Sequence, residues 1–446
     1  MIGAPKGVGQ EKLFSTLREM LNPKHPLYQL ADRMPWAEFE RSFKSLYSHT
    51  GRRAKPVRLM VSLLVLKQMY GLSDETVVAQ WVQNPYYQYF SGVEVFQWDF
   101  PCAASDLTHF RDRIGESGVQ KILEVSIKLH GPEALEEQVI ADTTVQEKNI
   151  TYPTDLKLDC KIIEKCRAIA DRENIVLRQS YVRVVKAMLL EQRFKRNPKT
   201  YRKALKAKKK IHTIAGRLLR ELLRKLPEKR KDYYQEELDL FARVLNQKKA
   251  DHDKIYSLHE PGVYCISKGK EHRKYEFGSK VSILVTAHSG IITSALSFAK
   301  NVFDGHTLEA ALEQHKKLTG QSPKEVIADR GYKGVKSIGT TQVSIPGRRK
   351  NGLTSYAISR IKEKFRRRAS IEPVIGHLKS DTGLGRNYLK GSTGDSINVM
   401  LAAAAFNFRK WMRIFFAFGN IIRNFQFYVS NWHIRLLYRH ISRPVY

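Results

Sequence analysis

The chain has 446 residues, of which 42% are apolar and 10% aromatic, so it is long enough for two or three domains with buried cores. Its 77 Lys and Arg against 44 Asp and Glu give a formal charge of +33, which predicts a polyanionic partner and favours nucleic acid. A membrane partner is not expected, because Arg409, Lys410 and Arg413 interrupt the most apolar late stretch. With four scattered cysteines and no apolar signal segment at the start, we expect a cytoplasmic protein with reduced thiols.

Residues 1–130 have the apolar periodicity of helices and are predicted to form a helical N-terminal domain. Two of these helices are separated by "GLSD", where Ser73 or Asp74 can cap the second helix. Such a pair resembles a helix-turn-helix, but any small helical bundle contains similar pairs. The domain is therefore predicted to serve DNA binding or dimerisation.

The pattern changes in residues 131–155, where "EEQVIADTTVQEKNI" has the apolar run of a buried strand that contains Asp142. Residues 156–256 return to a helical pattern and form a basic insertion, with 17 Lys or Arg against two acids between Arg193 and Lys231. A solvated helix face is the alternative, but that much charge favours contact with DNA phosphates. The candidate DNA-binding lysines of this insertion are Lys206, Lys208, Lys209 and Lys210.

Residues 257–410 return to strand texture, with a hairpin around "HSG" and Gly290 at its turn. A helix then begins near Asp304 or Thr307, either of which can cap it, and a short buried strand ends at Asp329. A long helix is predicted from about 355 through Glu372. This order predicts an α/β fold with a large helical insertion between the first and second core strands, followed by a basic aromatic tail at 411–446.

Three acids lie at chemically suggestive places: Asp142 and Asp329 in or after buried strands, and Glu372 on the last predicted helix. A single acid at the end of a strand is usually a cap. Three converging carboxylates would repel one another unless a cation neutralised them, and oxygen-only ligands suit Mg²⁺, with Mn²⁺ as a substitute. Two such ions can support an in-line phosphoryl displacement, so the acids are predicted to be both catalytic and metal-binding.

The stretch "RASIEPVIGHLK" carries the most specific signal in the chain. Arg368, Glu372 and Lys379 match the R, E and K of the Y-x2-R-x3-E-x6-K motif, and Phe365 stands at the tyrosine position. With "IADTTVQ" and "IADRGYKG" at the two aspartates, the chain resembles the DDE transposases of bacterial insertion sequences, in particular the family-five group. The resemblance implies a ribonuclease-H-like core, a DDE triad of Asp142, Asp329 and Glu372, and a homodimer assembled on double-stranded DNA.

The resemblance also assigns roles around the acids. It implies that Arg368 and Lys379 hold phosphates of the transposon end, whereas Phe365 lacks the tyrosine hydroxyl and retains only packing or stacking. Arg330 and Tyr332, in the Gly-rich turn, are further candidate DNA contacts, although that turn can equally be structural. His306 can approach the metals or serve as an ordinary helix-start residue. Pro373 is expected to kink the helix just after Glu372.

The leading hypothesis is a transposase that binds the ends of an insertion sequence, cleaves there by metal-dependent hydrolysis and joins the 3′-hydroxyl ends to target DNA. The alternative is a catalytically inactive or domesticated DNA-binding protein derived from a transposase. A plain ribonuclease-H-like nuclease would lack the long basic insertion and would not join strands. The acid triad favours the first hypothesis, because a pure binder gains nothing from three mutually repelling acids.

Overall fold

A computed structural model describes residues 16–47, 54–267, 274–347 and 354–413. Its N-terminal part is helical, with α1 Leu17–Met20, α2 Pro26–Arg33, α3 Trp36–Phe43, α4 Val57–Tyr70, α5 Asp74–Gln83, α6 Pro85–Phe90 and α7 Ala104–Lys128. Helix α4 is buried along most of its length and ends at Gly71, whose left-handed backbone (φ 63°) suits glycine. The Ser73 side chain accepts a hydrogen bond from the Thr76 backbone N–H, which confirms Ser73 as the cap of α5.

The strands of the described residues form one mixed sheet. Its strands are β1 Gln138–Lys148, β2 Tyr264–Ser267, β3 Tyr275–Thr286, β4 Ile292–Phe298, β5 Glu325–Ile327, β6 Ser337–Ile338, β7 Thr341–Ser344 and β8 Arg386–Asn387. The neighbours run β2-β3-β1-β5-β7-β6, with β4 also on β3 and β8 also on β1. Strand β1 is antiparallel to β3 and parallel to β5, so the sheet changes direction beside β1. The predicted hairpin between β3 and β4 is present, with Gly290 at φ 66°.

Four helices lie between β1 and β2: α8 Asp155–Arg172, α9 Val182–Gln192, α10 Pro198–Lys225 and α11 Glu228–Asn246. They have a hydrophobic core of their own, formed by residues such as Ile162, Ile211, Leu218 and Phe241. Helix α10 is amphipathic: its apolar residues recur every three or four positions and are buried, while its lysines occupy the other face. The basic stretch therefore forms part of a packed helical bundle.

The remaining helices are α12 Asp304–Thr319, α13 Ser355–Arg368, α14 Ile371–Ser380 and α15, which covers 391–413. The predicted cap of α12 was wrong, because Phe303 is the N-cap and Asp304 is the first helical residue. Within the described ranges, no helix combines the length and apolarity needed to cross a bilayer. Most of the predicted tail, from residue 414 onward, lies outside the described residues.

The single long helix predicted from 355 through Glu372 was also wrong, because α13 ends at Arg368 and α14 begins at Ile371. A continuous helix would bring the Pro373 ring against the carbonyl of residue 369. The chain avoids that clash by breaking before Glu372 instead of bending after it. Pro373 thereby falls in the first turn of α14, where its missing N–H leaves no intrahelical hydrogen bond unmade.

Candidate active site

Asp142 lies on β1, and Asp329 follows β5, the neighbouring strand that runs in the same direction. The parallel register pairs Val139 with Val326 and Ile140 with Ile327, an offset of 187 residues that aligns Asp142 with Asp329 when it is extended by two positions. The backbone of Asp329 is extended (φ −85°, ψ −174°), so the β1–β5 register can be continued to this residue. Since adjacent strands lie about 4.8 Å apart, the sheet brings these two residues together at the carboxyl end of β5.

Helix α14 packs against the sheet beside β1 and carries Glu372 in its first turn. Arg368, the last residue of α13, connects this acid to the sheet: its Nη2 lies 3.4 Å from Asp142 Oδ2 and 3.8 Å from Glu372 Oε1. The Glu372 side chain is 66% exposed, whereas that of Asp142 is 17% exposed. Glu372 is therefore the member of the predicted triad with the most freedom to change rotamer.

The donor chemistry of these acids fits a hard divalent cation, because Asp142, Asp329 and Glu372 offer only carboxylate oxygens. No group of three His, Cys, Asp or Glu side chains is already arranged around one ion in the part of the chain that the structure describes. The guanidinium of Arg368 lies against both Asp142 and Glu372. The prediction that the three acids share metal ions thus stays a prediction, with the exposed Glu372 as the side chain that would have to move.

Sequence reasoning missed a fourth carboxylate, that of Asp304 at the start of α12. Its Oδ1 accepts a hydrogen bond from Thr143 Oγ1 at 2.8 Å and pairs with Lys280 Nζ at 2.5 Å. A Cβ added at Gly331 would lie 2.6 Å from Asp304 Oδ2 and 2.9 Å from Asp329 Oδ1, so Asp304 and Asp329 flank the same turn. An Asp at a helix start is usually read as a cap, and nothing local in the sequence distinguishes this one.

The Tyr332 side chain lies in the same region. Burial raises the pKa of its hydroxyl well above its usual range, and the charges of Asp142, Asp304 and Asp329 raise it further. Three carboxylates thus act on one phenol, which stays protonated. Because Tyr332 is fully buried, the suggestion that it could lie beside DNA was wrong.

The other residues of the predicted site have different surroundings. Lys379 is half-buried on α14, seven residues after Glu372 and so on the same helical face, while Phe365 packs against the main hydrophobic core. Arg330 is exposed next to Asp329. His306 is exposed, with its ring edge-on to Phe303 at 5.5 Å between centroids. The DNA contacts predicted for these residues stay predictions.

The four candidate lysines of α10 do not share one environment. Lys206, Lys209 and Lys210 are exposed, whereas Lys208 is half-buried and its Nζ lies 3.1 Å from Asp155 Oδ2 on α8. In the N-terminal domain, Asp74 and Glu75 occupy the first turn of α5, and acids there disfavour phosphate contacts by that helix end. Among these positions, the exposed lysines of α10 are the best placed for DNA.

Two family models match the chain: residues 15–113 match a transposase domain (DUF772), and residues 249–408 match the transposase DDE domain. The second match contains Asp329 and Glu372, while Asp142 precedes it. A relative from Rhizobium meliloti, described as uncharacterized protein ORF8 in the nfe locus, is 43% identical over 185 residues, which cover 40% of this chain and 89% of the relative. No solved structure matches.

A DDE domain implies a ribonuclease-H-like core, and such domains typically use divalent metal ions. The mixed sheet and the acids beside β1 agree with that assignment. The two domain matches together support an insertion-sequence transposase with a DDE domain.

Proposed function

We propose that this transposase binds the ends of an insertion sequence, cleaves the DNA there by phosphodiester hydrolysis and joins the resulting 3′-hydroxyl ends to target DNA. The observation that carries the proposal is the parallel register of β1 and β5, which would align Asp142 with Asp329 when extended by two positions, together with the contacts of Arg368 with Asp142 and Glu372. We further propose membership of the family-five, Y-x2-R-x3-E-x6-K group, for which Arg368, Glu372 and Lys379 supply the spacing and Phe365 is the departure.

The three acids would hold Mg²⁺, for which Mn²⁺ substitutes. When bound, such ions activate an attacking oxygen and neutralise charge on the leaving oxygen. The protein's own contribution is to fix Asp142 and Asp329 on the sheet and to present Glu372 from α14. Arg368 and Lys379 would bind the phosphates that flank the scissile bond, because a guanidinium can engage a phosphate in a bidentate manner and an ammonium acts as a point charge.

Double-stranded DNA would be held by the exposed face of α10, and we propose that a homodimer forms when both transposon ends are bound. We retain the domain limits 1–130, 131–155, 156–256, 257–410 and 411–446 as part of the proposal. In support, α8–α11 form a bundle with its own core, separate from the core shared by the N-terminal helices and the sheet.

The decisive experiment replaces Glu372 with Gln, which keeps the size of the side chain and removes its charge. Cleavage of a supercoiled plasmid carrying the gene with its genomic flanks should fall by at least about a hundredfold, the upper end for groups that merely support metal ligands. DNA binding should not weaken, because a negatively charged side chain makes no attractive contact with phosphate. Glu363→Gln, at an exposed acid of α13, is the matched control and should cleave normally.

Equal loss of cleavage and binding in Glu372→Gln would show instead that Glu372 is a structural acid. If the wild-type protein binds the flanking DNA but never cleaves it in Mg²⁺ or Mn²⁺, the inactive DNA-binding alternative replaces the proposal.

A further inference from the structure

Asp304 lies outside the predicted triad, yet it contacts the surroundings of both core aspartates. Its side chain is 26% exposed, and it is the first residue of α12, the helix that packs on β3 and β4. Lys280 on β3 is its ion-pair partner; this side chain is only 11% exposed and also donates to the Val302 carbonyl at 2.6 Å. The two residues therefore form a partly buried ion pair between a strand and the start of a helix.

Thr143 connects the Asp304 carboxylate to Asp142. Thr143 donates its hydroxyl to Asp304 Oδ1 at 2.8 Å, and the backbone N–H of the same residue donates to Asp142 Oδ1 at 2.7 Å. The Asp304 carboxylate thus holds the side chain of the residue whose peptide N–H orients the first aspartate.

Gly331 connects the Asp304 carboxylate to Asp329. The backbone N–H of Gly331 donates to Asp329 Oδ1 at 2.8 Å, and Asp304 Oδ2 occupies the space beside the Gly331 Cα that any larger residue would need. One carboxylate consequently lies between the two peptide units that orient the two core aspartates. A Cβ at residue 331 would have to displace the carboxylate of Asp304 or that of Asp329.

We propose that Asp304 is a positioning residue that fixes Asp142 and Asp329 relative to each other, with Lys280 holding Asp304 in place. The inference rests on the proposed function, since it assigns a role toward the same two acids. It differs from a purely structural role, in which Asp304 would serve only to neutralise the buried charge of Lys280.

Two variants separate these roles. Asp304→Ala removes both contacts and should lower plasmid cleavage about a hundredfold, the effect expected of a displacement of about 1 Å. Asp304→Asn keeps a carbonyl acceptor for Thr143 and should remain within about tenfold of the wild type. If Asp304 only balanced charge, both variants would be impaired to the same degree, and that result would overturn the proposal.

The double variant Lys280→Met/Asp304→Ala adds a second test, because it removes the buried cation together with its partner. Its unfolding midpoint should recover relative to Asp304→Ala, while its cleavage should stay low. Recovery of both properties would overturn the positioning role. Glu309→Gln, at an exposed acid of the same helix, should match the wild type in stability and cleavage.

A third test does not depend on catalysis. It measures the binding of Mn²⁺ to the DNA-free protein by electron paramagnetic resonance. Asp304→Ala should weaken Mn²⁺ binding by about tenfold, the lower end for residues that orient metal ligands. Thr143→Val, which keeps its shape and loses the donor to Asp304, should weaken it in the same direction and serves if Asp304→Ala fails to fold. Unchanged Mn²⁺ affinity in the folded variants would sink the inference, whereas absent cleavage by the wild type would count against the proposed function.

Discussion

Arg368 lies where α13 ends, between an acid of the sheet and an acid of α14. Its guanidinium contacts both Asp142 and Glu372, so its charge offsets the repulsion between carboxylates that would otherwise separate them. A planar guanidinium also suits phosphate, and an incoming DNA backbone would compete with these acids for it. This competition gives Arg368 two roles, one before and one after DNA binds.

The sequence identified Asp142 and Asp329 because each lies in or just after a short apolar run that is typical of a buried strand. It could not show that they are aligned, since the 187-residue offset depends on which strands pair. Asp304 was interpreted only as a possible helix cap for a related reason: its partners Thr143 and Lys280 lie on two different strands. The acid motifs were thus visible in the sequence, whereas the contacts around them depend on how the strands and α12 pack.

His315 provides a test of burial at the scale of a single residue. It is buried on α12 with its Nδ1 2.8 Å from Thr293 Oγ1, and burial lowers its pKa from 6.5 to about 4. Between these two values the unfolded chain binds more protons than the folded one, so stability falls as the pH drops from 6.5 to 4. The full shift corresponds to about 3 kcal/mol.

We therefore expect His315→Gln to lose less of its free energy of unfolding than the wild type over this pH range, by about 3 kcal/mol. Urea denaturation at a series of pH values from 7 down to about 4 measures this. His130, whose pKa burial also lowers, contributes equally to both proteins. His252→Gln, at an exposed histidine, is the control, and equal pH dependence in His315→Gln and the wild type would contradict the assignment.

The break between α13 and α14 was predicted from the sequence as an interruption of the helix, but its position was predicted wrongly. Pro373 indicated an interruption of the helix, and an interruption is present, but three to four residues earlier than expected. A proline disturbs the turn before it, and it is well tolerated in the first turn of a helix. Starting a new helix at Ile371 satisfies both conditions and still leaves Arg368 within reach of Glu372.

Helix α10 also has features that the sequence predicts and a contact that depends on helix packing. Its heptad-like apolar face and its charge were both visible in the sequence, so its helical character and its exposed lysines were predictable. The pairing of Lys208 with Asp155 was not, because it depends on how α8 and α10 pack. This ion pair makes Lys208 a weaker candidate for phosphate binding than Lys206, Lys209 and Lys210.

Changing Lys206, Lys209 and Lys210 to Gln should therefore flatten the salt dependence of DNA binding by up to about three units of slope, at roughly 0.9 per phosphate contact. Adding Lys208→Gln should change the slope little further. Fluorescence anisotropy with duplex DNA at several salt concentrations measures both. Lys316→Gln/Lys317→Gln on α12 is the control, and an unchanged slope in the triple variant would leave α8–α11 as a dimerisation element instead.

At the scale of the whole molecule, the N-terminal helices and the sheet share one hydrophobic core, to which α14 and α15 also contribute. A buried polar network lies within it. Gln68 on α4 donates to Asn398 on α15, which donates to Gln146 on β1. Gln146 donates in turn to Asp395, the carboxylate that pairs with Lys148 at 2.9 Å. The first transposase domain is thereby fastened to the sheet that carries Asp142.

Lys148 is the charged centre of this network, with a side chain that is 4% exposed and two buried acidic partners, Asp395 and Glu260. Burial already raises the pKa of Asp395 although Lys148 opposes the shift, so the carboxylate depends on this cation.

We expect Lys148→Met to lower the free energy of unfolding by about 3–5 kcal/mol, because it leaves buried acids without their cation. Adding Asp395→Asn should recover part of that loss, since it removes one uncompensated charge. Both are measured by urea denaturation followed by circular dichroism, and the N-terminal helices and the sheet should unfold together. Lys231→Met breaks a surface pair with Glu228, whose side chain is exposed, and should cost no more than about 1 kcal/mol. A loss that small in Lys148→Met as well would mean that the network does not hold the two parts together.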